Sequence, residues 1–267
     1  MCPLCQRLMN NRDGRWTEPG NLVCHCLLIE TPTALVMVDT GMGLLDIAQP
    51  QRRLGLMQPA VFRPILIEDE AAVRQVKALG YDPRDVRHII PTHLDVDHVG
   101  GLADFPDAQV HILTAELDQI LKPTARDRMR FRPAQFEHRP KWVVYDQSGD
   151  DWFGFQAIHG LKGISAEILI VPLPGHTRGH VGVAVRQGNR WLFHCGDAYY
   201  HHTQVTATPE VPPGLAFFQW VIAALPEARV SNLAKIQQLA LNLGNEVEMF
   251  CAHSPVEFER YRRGQHL

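Results

Sequence analysis

The chain has 267 residues, a formal net charge of −3 and 21% charged residues. That balance supplies no basic field for nucleic acid, and no apolar run is long enough to cross a bilayer. A 45% hydrophobic composition fills a large core, so one domain over residues 1–267 acting on a small molecule, with neither nucleic acid nor membrane as partner, is the expectation.

The opening Met1-Cys2-Pro3-Leu4-Cys5 has neither the charged nor the apolar stretch of an export signal, which points to a cytoplasmic protein with reduced thiols. Cys2 and Cys5 with Cys24 and Cys26 have the outline of a structural zinc site, but the spacing fits poorly. Cys24 and Cys26 lie in an apolar run that reads as a strand, where they share one face as small buried hydrophobes. Residues 22–30 and 34–39 read as a hairpin, its second strand ending in Val38-Asp39-Thr40-Gly41. Asp69 reads as the N-cap of a helix from Glu70 to Leu79, closed by Gly80. After a turn at 83–86, His88 to Pro91 reads as a buried strand.

That strand feeds Thr92-His93-Leu94-Asp95-Val96-Asp97-His98-Val99-Gly100-Gly101, with two imidazoles and two carboxylates inside six residues. Crowded carboxylates raise each other's pKa and cost stability, whereas a bound cation turns the same cluster into a stabilising feature. In an extended loop His93, Asp95 and Asp97 face one way and His98 another, a spread that suits two ions better than one.

Further on, Gln109 to Leu113 reads as a strand and Thr114 to Leu121 as a helix capped by Thr114. Residues 122–141 have no period and read as an exposed excursion, a lid or an oligomer contact, so a homodimer is left open. Its alternating Arg126, Arg128, Arg130 and Arg132 read as solvated. Strands follow near 142–145, 152–158, 168–173, 181–186 and 190–195, the last two joined at Gly188-Asn189. A proline-rich loop at 207–214, a helix over 228–243, a strand over 247–251 and a polar helix over 255–262 complete the chain. His176, Asp197 and His253 each stand where a strand ends, and loops gather at strand ends on one side of a sheet. His25, His88, His111 and His159 fall in or near strands and read as structural.

From Asp39-Thr40-Gly41 through His253 the chain resembles the metallo-β-lactamase superfamily, and within it the acyl-homoserine-lactone lactonase branch. The family signature His-x-His-x-Asp-His is matched with one departure, Asp95 at the second His. The resemblance implies an α/β (α+β) fold, a four-layer αβ/βα sandwich of two similar halves. It implies two divalent ions, one held by His93, Asp95 and His176, the other by Asp97, His98 and His253, with Asp197 bridging and Asp39 orienting the ligand loop. Zinc is the expected metal, with manganese or iron as alternatives favoured by the extra carboxylate. Three carboxylates and a hydroxide would balance two divalent cations, so Asp95 is expected to blunt Lewis acidity.

The implied activity is hydrolysis: a hydroxide bridging the metals opens a lactone or a related ester or thioester. Asp97 is the implied proton carrier. Tyr200, three residues after Asp197, would assist the substrate carbonyl, and His180 would support the His176 loop. A glyoxalase II type thioesterase is the alternative. A diiron redox protein and an inactive binding protein are more remote, the first because its flavin domain is missing.

Overall fold

Short aliphatic runs set the architecture. The structure, a computed structural model, describes residues 1, 6–10, 14–146 and 149–264. They fall into two compact units, one of Cys26–Gln147 with Leu161–Ala166, the other of Met1–His25, Ser148–Gly160 and Glu167–Leu267.

In the first unit β1 (Leu27–Glu30) and β2 (Leu35–Val38) form an antiparallel hairpin, held at its turn by the Thr31 hydroxyl donating to the Ala34 carbonyl at 2.6 Å. β3 (Val86–Ile90), β4 (Gln109–Leu113) and β5 (Lys141–Tyr145) add in parallel, giving the order β1-β2-β3-β4-β5. Parallel strands covered on both faces have no polar alternation. Accordingly Val36, Val38, Ile89 and Ile90 are all fully buried.

The second unit carries the hairpin β6 (Asp150–Trp152) and β7 (Phe155–Ala157). Beside it lies a four-stranded sheet of β8 (Ile168–Pro172), β9 (Val181–Gln187), β10 (Arg190–His194) and β11 (Val247–Phe250), in the order β11-β10-β9-β8. Only its β10–β11 pair is parallel. Its core stacks aromatic edges on faces: Trp152 lies 5.6 Å from Trp191 and 5.0 Å from Phe193, ring centre to ring centre. Helix Pro226–Leu243 contributes the buried Ile236 and Leu239 to that core.

Several boundaries differ from the sequence reading, each for a local reason. The first strand starts at Leu27, not residue 22, because the Val23 and His25 N–H groups donate to the carbonyls of His253 and Ala252. Cys24 and Cys26 therefore lie before the strand and are half-buried; Cys2 and Cys5 fall outside the described residues. Asp69 sits within a 3₁₀ turn, Glu68–Glu70, and Ala71 precedes the helix Ala72–Ala78. Thr114 is the first residue of helix Thr114–Leu121 rather than its cap, and its hydroxyl donates to the Tyr145 carbonyl.

The excursion is largely exposed, as expected, but it has regular structure. It holds helix Ala125–Arg130, with a capping box between Thr124 and Asp127, and a 3₁₀ turn Pro133–Gln135. Phe131 joins the core of its unit and Gln135 is fully buried. Helix Pro213–Ile222 begins inside the expected proline-rich loop, with Pro213 at its first position. Among the described residues no helix is long and apolar enough to cross a membrane.

Candidate metal centre

In the first unit, β2 and β3 are parallel neighbours, so Asp39 and Thr92 emerge side by side at their carboxyl ends. Asp39 has the left-handed φ of 55°, and its carboxylate accepts three bonds. They come from the Thr92 N–H at 2.6 Å, the Thr92 hydroxyl at 2.9 Å and His98 Nδ1 at 2.8 Å. Thr92 spends its one hydroxyl hydrogen on Asp39, so its 3.0 Å contact with His93 Nδ1 requires the ring N–H to be the donor. Both histidines are thereby held as Nδ1–H tautomers that turn Nε2 toward a carboxylate. His93 Nε2 lies 3.2 Å from Asp95 Oδ2, and His98 Nε2 lies 3.8 Å from Asp97 Oδ2.

The ligand loop is extended only as far as Asp95. Asp97 and His98 stand on a one-turn helix, Val96–Val99, so the single extended ligand row read from the sequence is broken there. Asp95 occupies the N-cap, but its carboxylate makes no cap bond. It instead receives Arg130 Nε at 2.6 Å and Nη2 at 2.5 Å, a two-pronged ion pair from the excursion helix. Arg130 is thus half-buried and paired where the sequence reading had it solvated.

Further contacts hold the loop from behind. Buried Glu116 accepts the Leu94 N–H at 2.9 Å and a Gln119 side-chain N–H at 2.6 Å. Gly100 and Gly43 touch backbone to backbone: a Cβ on Gly43 would stand 2.3 Å from the Gly100 carbonyl oxygen. Beneath them Arg53 donates to Asp46 at 2.7 Å and to the Gly100 carbonyl at 3.0 Å, and Gln135 donates to Asp46 at 2.9 Å. Burial raises the Asp46 pKa, partly offset by bonds from Gly43, Arg53 and Gln135.

In the second unit the parallel β10–β11 ladder runs on past its last paired residues, through Cys195 N–H to the Phe250 carbonyl at 2.8 Å and Ala252 N–H to the Gly196 carbonyl at 3.0 Å. Asp197 and His253 leave from these adjacent ends. His253 Nδ1 bonds the Val23 carbonyl at 2.7 Å, which makes it the donor and leaves Nε2 facing the Asp197 carboxylate at 3.1 Å. Tyr200 is buried and donates its hydroxyl hydrogen to Asp197 Oδ2 at 2.6 Å. That hydroxyl can then only accept from His176 Nδ1, 3.3 Å away, and His176 Nε2 lies 3.3 Å from Asp197 Oδ2.

Asp197 itself is fixed through its backbone. His180 Nδ1 donates to the Leu173 carbonyl at 3.0 Å, and its Nε2 accepts the Asp197 N–H at 2.9 Å. His180 therefore positions Asp197 directly as well as the strand leading to His176. The Tyr200 ring stacks on His253 at 5.1 Å and meets Phe218 edge-on at 5.6 Å. Phe217 and Trp220 are exposed, while Phe131 and Phe136 line a cavity of about 620 Å³ in the first unit with Ile120, Pro133 and Trp142.

One tautomer thus recurs at His93, His98, His176 and His253. Each gives its Nδ1 hydrogen to an oxygen and directs Nε2 at a carboxylate, and all four rings are buried. Two electron-rich atoms at such distances repel unless a cation lies with them. This donor set of imidazole nitrogen and carboxylate oxygen fits a borderline divalent metal, and the oxygens holding each Nδ1 are the outer support such ligands need.

Of the other histidines, His25, His88 and His111 are buried within their units. His111 bridges His88 at 2.9 Å and the Tyr145 hydroxyl at 2.8 Å, and burial lowers its pKa to about 3. Burial and the neighbouring His194 bring His25 to about 3 as well. His159 is exposed.

Residues 19–221 match the profile of the Metallo-beta-lactamase superfamily. The chain belongs to that superfamily. A probable metallo-hydrolase of Mycobacterium tuberculosis is 42% identical over 235 residues, which cover 88% of this chain and 75% of the relative. N-acyl homoserine lactonase AttM of Rhizobium johnstonii is 30% identical over 179 residues, 66% of this chain and 62% of that enzyme. Among solved structures, an N-acyl homoserine lactone hydrolase with N-hexanoyl-L-homoserine at its catalytic metal centre aligns with a TM-score of 0.68 at 20% identity, covering 97% of this chain and 91% of the other. The metallo-β-lactamase fold expected from the sequence is therefore the fold of this protein, and its superfamily is one of metallo-hydrolases that bind divalent metal.

Proposed function

We propose that this protein is a dinuclear metal-dependent hydrolase that opens a lactone or a closely related ester. The observation that carries the reading is the shared tautomer of His93, His98, His176 and His253, each with Nε2 turned to a carboxylate. In this reading the ligands are those the superfamily resemblance implies, His93, Asp95 and His176 for one ion and Asp97, His98 and His253 for the other. Asp197 would be the shared ligand, and the Asp95 carboxylate lies 3.2 Å from His93 Nε2. Zinc is the proposed metal, and the lactone substrate is proposed from the activities named for the lactonase relatives. When bound, the ions supply Lewis acidity that makes water nucleophilic at neutral pH and polarises a carbonyl.

The chain's own residues do the rest. Asp97, half-buried on the first turn of helix Val96–Val99, takes the proton of the attacking water and returns it to the leaving oxygen. Tyr200 turns its hydroxyl from Asp197 to the substrate carbonyl oxygen and donates to it as negative charge develops, worth up to about 3 kcal/mol. His180 and Asp39 keep the ligand side chains in place without touching substrate.

The test is a hydrolysis panel of acyl-homoserine lactones, simple lactones, aryl esters and thioesters with zinc-loaded wild type and Asp97→Asn. The expected outcome is two ions per chain, preference for a lactone, and a loss of kcat of about 10²-fold or more in the variant. One ion or none per chain overturns the dinuclear site. Silence across the panel overturns hydrolysis.

A further inference from the structure

The departure from the family signature has a compensating partner. A carboxylate at the position of a neutral imidazole adds one negative charge to the ligand loop. The sequence alone therefore points to a metal centre of blunted Lewis acidity. Asp95, however, faces a guanidinium: Arg130 Nε and Nη2 meet its two oxygens at 2.6 and 2.5 Å, with side-chain exposures of 9% for Arg130 and 12% for Asp95.

We infer that Arg130 is a positioning residue that neutralises Asp95, so that the Asp95–Arg130 pair stands in place of a neutral histidine and preserves the Lewis acidity of the centre. Three observations carry this. Asp95 sits at a helix N-cap, where a carboxylate ordinarily bonds the free N–H groups of the first turn, yet its side chain makes no such bond. Its oxygens are turned instead to Arg130 and to His93 Nε2, 3.2 Å away. Arg130 is also held rigidly: its helix is closed at one end by the Thr124–Asp127 capping box and anchored at the other by the buried Phe131. A two-pronged pair suits arginine alone, since lysine carries a point charge with no planar fork.

The inference rests on the metal-binding reading above and concerns only how this chain tunes that site. It gives the excursion at 122–141 a defined task. The segment delivers a counter-charge to the ligand loop, so its helix and the Asp95 substitution function as one unit.

The experiment is zinc affinity by chelator competition on metal-stripped protein, in a cycle of wild type, Asp95→Asn, Arg130→Met and the double variant. Removing the guanidinium leaves the Asp95 charge to the metal, so Arg130→Met binds zinc at least about tenfold more tightly. Asp95→Asn leaves an uncompensated cation and binds at least about tenfold more weakly, while the double variant returns to near the wild-type value. Arg130→Gln, which keeps a hydrogen-bond donor without the charge, gives the same direction if Arg130→Met folds poorly. In turnover, Arg130→Met moves the acidic limb of the kcat/KM pH profile upward, a shift that a purely structural role does not produce. Unchanged or weakened zinc binding in both Arg130 variants overturns the inference while leaving the hydrolase reading intact. Wild-type protein that takes up no zinc overturns both.

Discussion

Asp39 Oδ2 receives His98 Nδ1 at 2.8 Å and the Thr92 hydroxyl at 2.9 Å, so one carboxylate oxygen dictates the tautomers of both His98 and, through Thr92, His93. Asp39→Ala releases both rings, and zinc affinity should fall by about 10–100-fold. Asp39→Asn tolerates the left-handed φ of 55° and keeps one acceptor oxygen for the Thr92 hydroxyl and His98 Nδ1. Its amide nitrogen loses the bond from the Thr92 N–H, and the net loss should stay below that of Asp39→Ala. Chelator competition on the two variants reads the difference. Equal affinity in Asp39→Ala and wild type would falsify this role for Asp39.

The Arg53–Asp46 pair, with side-chain exposures of 4% and 0%, lies beneath the Gly43–Gly100 contact. Arg53→Met leaves Asp46 buried with its main cationic partner gone, which should cost about 3–5 kcal/mol in urea unfolding. Adding Asp46→Leu should recover much of that loss, because a neutral pair of similar volume needs no compensating charge. A single variant as stable as wild type would show that the network contributes nothing.

Glu257 is buried where it accepts the Cys251 N–H and the Tyr199 hydroxyl, both at 2.9 Å, and burial raises its pKa from 4.5 to about 7. The folded chain therefore keeps this proton between those values while the unfolded chain releases it. The stabilisation is complete below about pH 4.5 and is lost as pH rises through 7, a change of about 3 kcal/mol at most. Glu257→Gln should remove that part of the pH dependence. Unfolding curves of the two proteins from pH 4.5 to 8 should diverge accordingly; parallel curves would refute the shift.

His111 works in the opposite direction. Burial depresses its pKa from 6.5 to about 3, so its contribution is present above pH 6.5 and drains away as pH falls toward 3. His111→Gln, which can still bond His88 and Tyr145, should flatten the loss of stability on acidification. Thermal melts of both proteins between pH 7 and 4 provide the measurement, and an equally steep decline in the variant counts against the assignment.

Much of the site was legible because its signals are local. The density of His93, Asp95, Asp97 and His98 within six residues needs no tertiary information, and His176, Asp197 and His253 each follow an apolar run that ends abruptly. The strands that carry the ligand loop were readable for the same reason, since a short aliphatic run such as Leu35 to Val38 suits a strand covered on both faces. What sequence hid were the partners brought from a distance. Arg130 stands 35 residues from Asp95 in an arginine-rich stretch with no period, and Gln135 stands 82 from Arg53. Helix Pro213–Ile222 was masked by the prolines before it, which also mark the start of a helix. Glu116 was hidden because a glutamate in a helix usually faces water, whereas this one turns inward to the Leu94 N–H.

The parallel pairing of β2 with β3 and of β10 with β11 also has a bearing on assembly order. Each ladder unites stretches of chain remote along the polypeptide, and a slip of one residue would turn a ligand-bearing end toward the opposite face. Such non-local ladders close late during folding, because the connecting chain must be gathered first. The imidazoles and carboxylates that each unit contributes are consequently brought into place only once its register is settled.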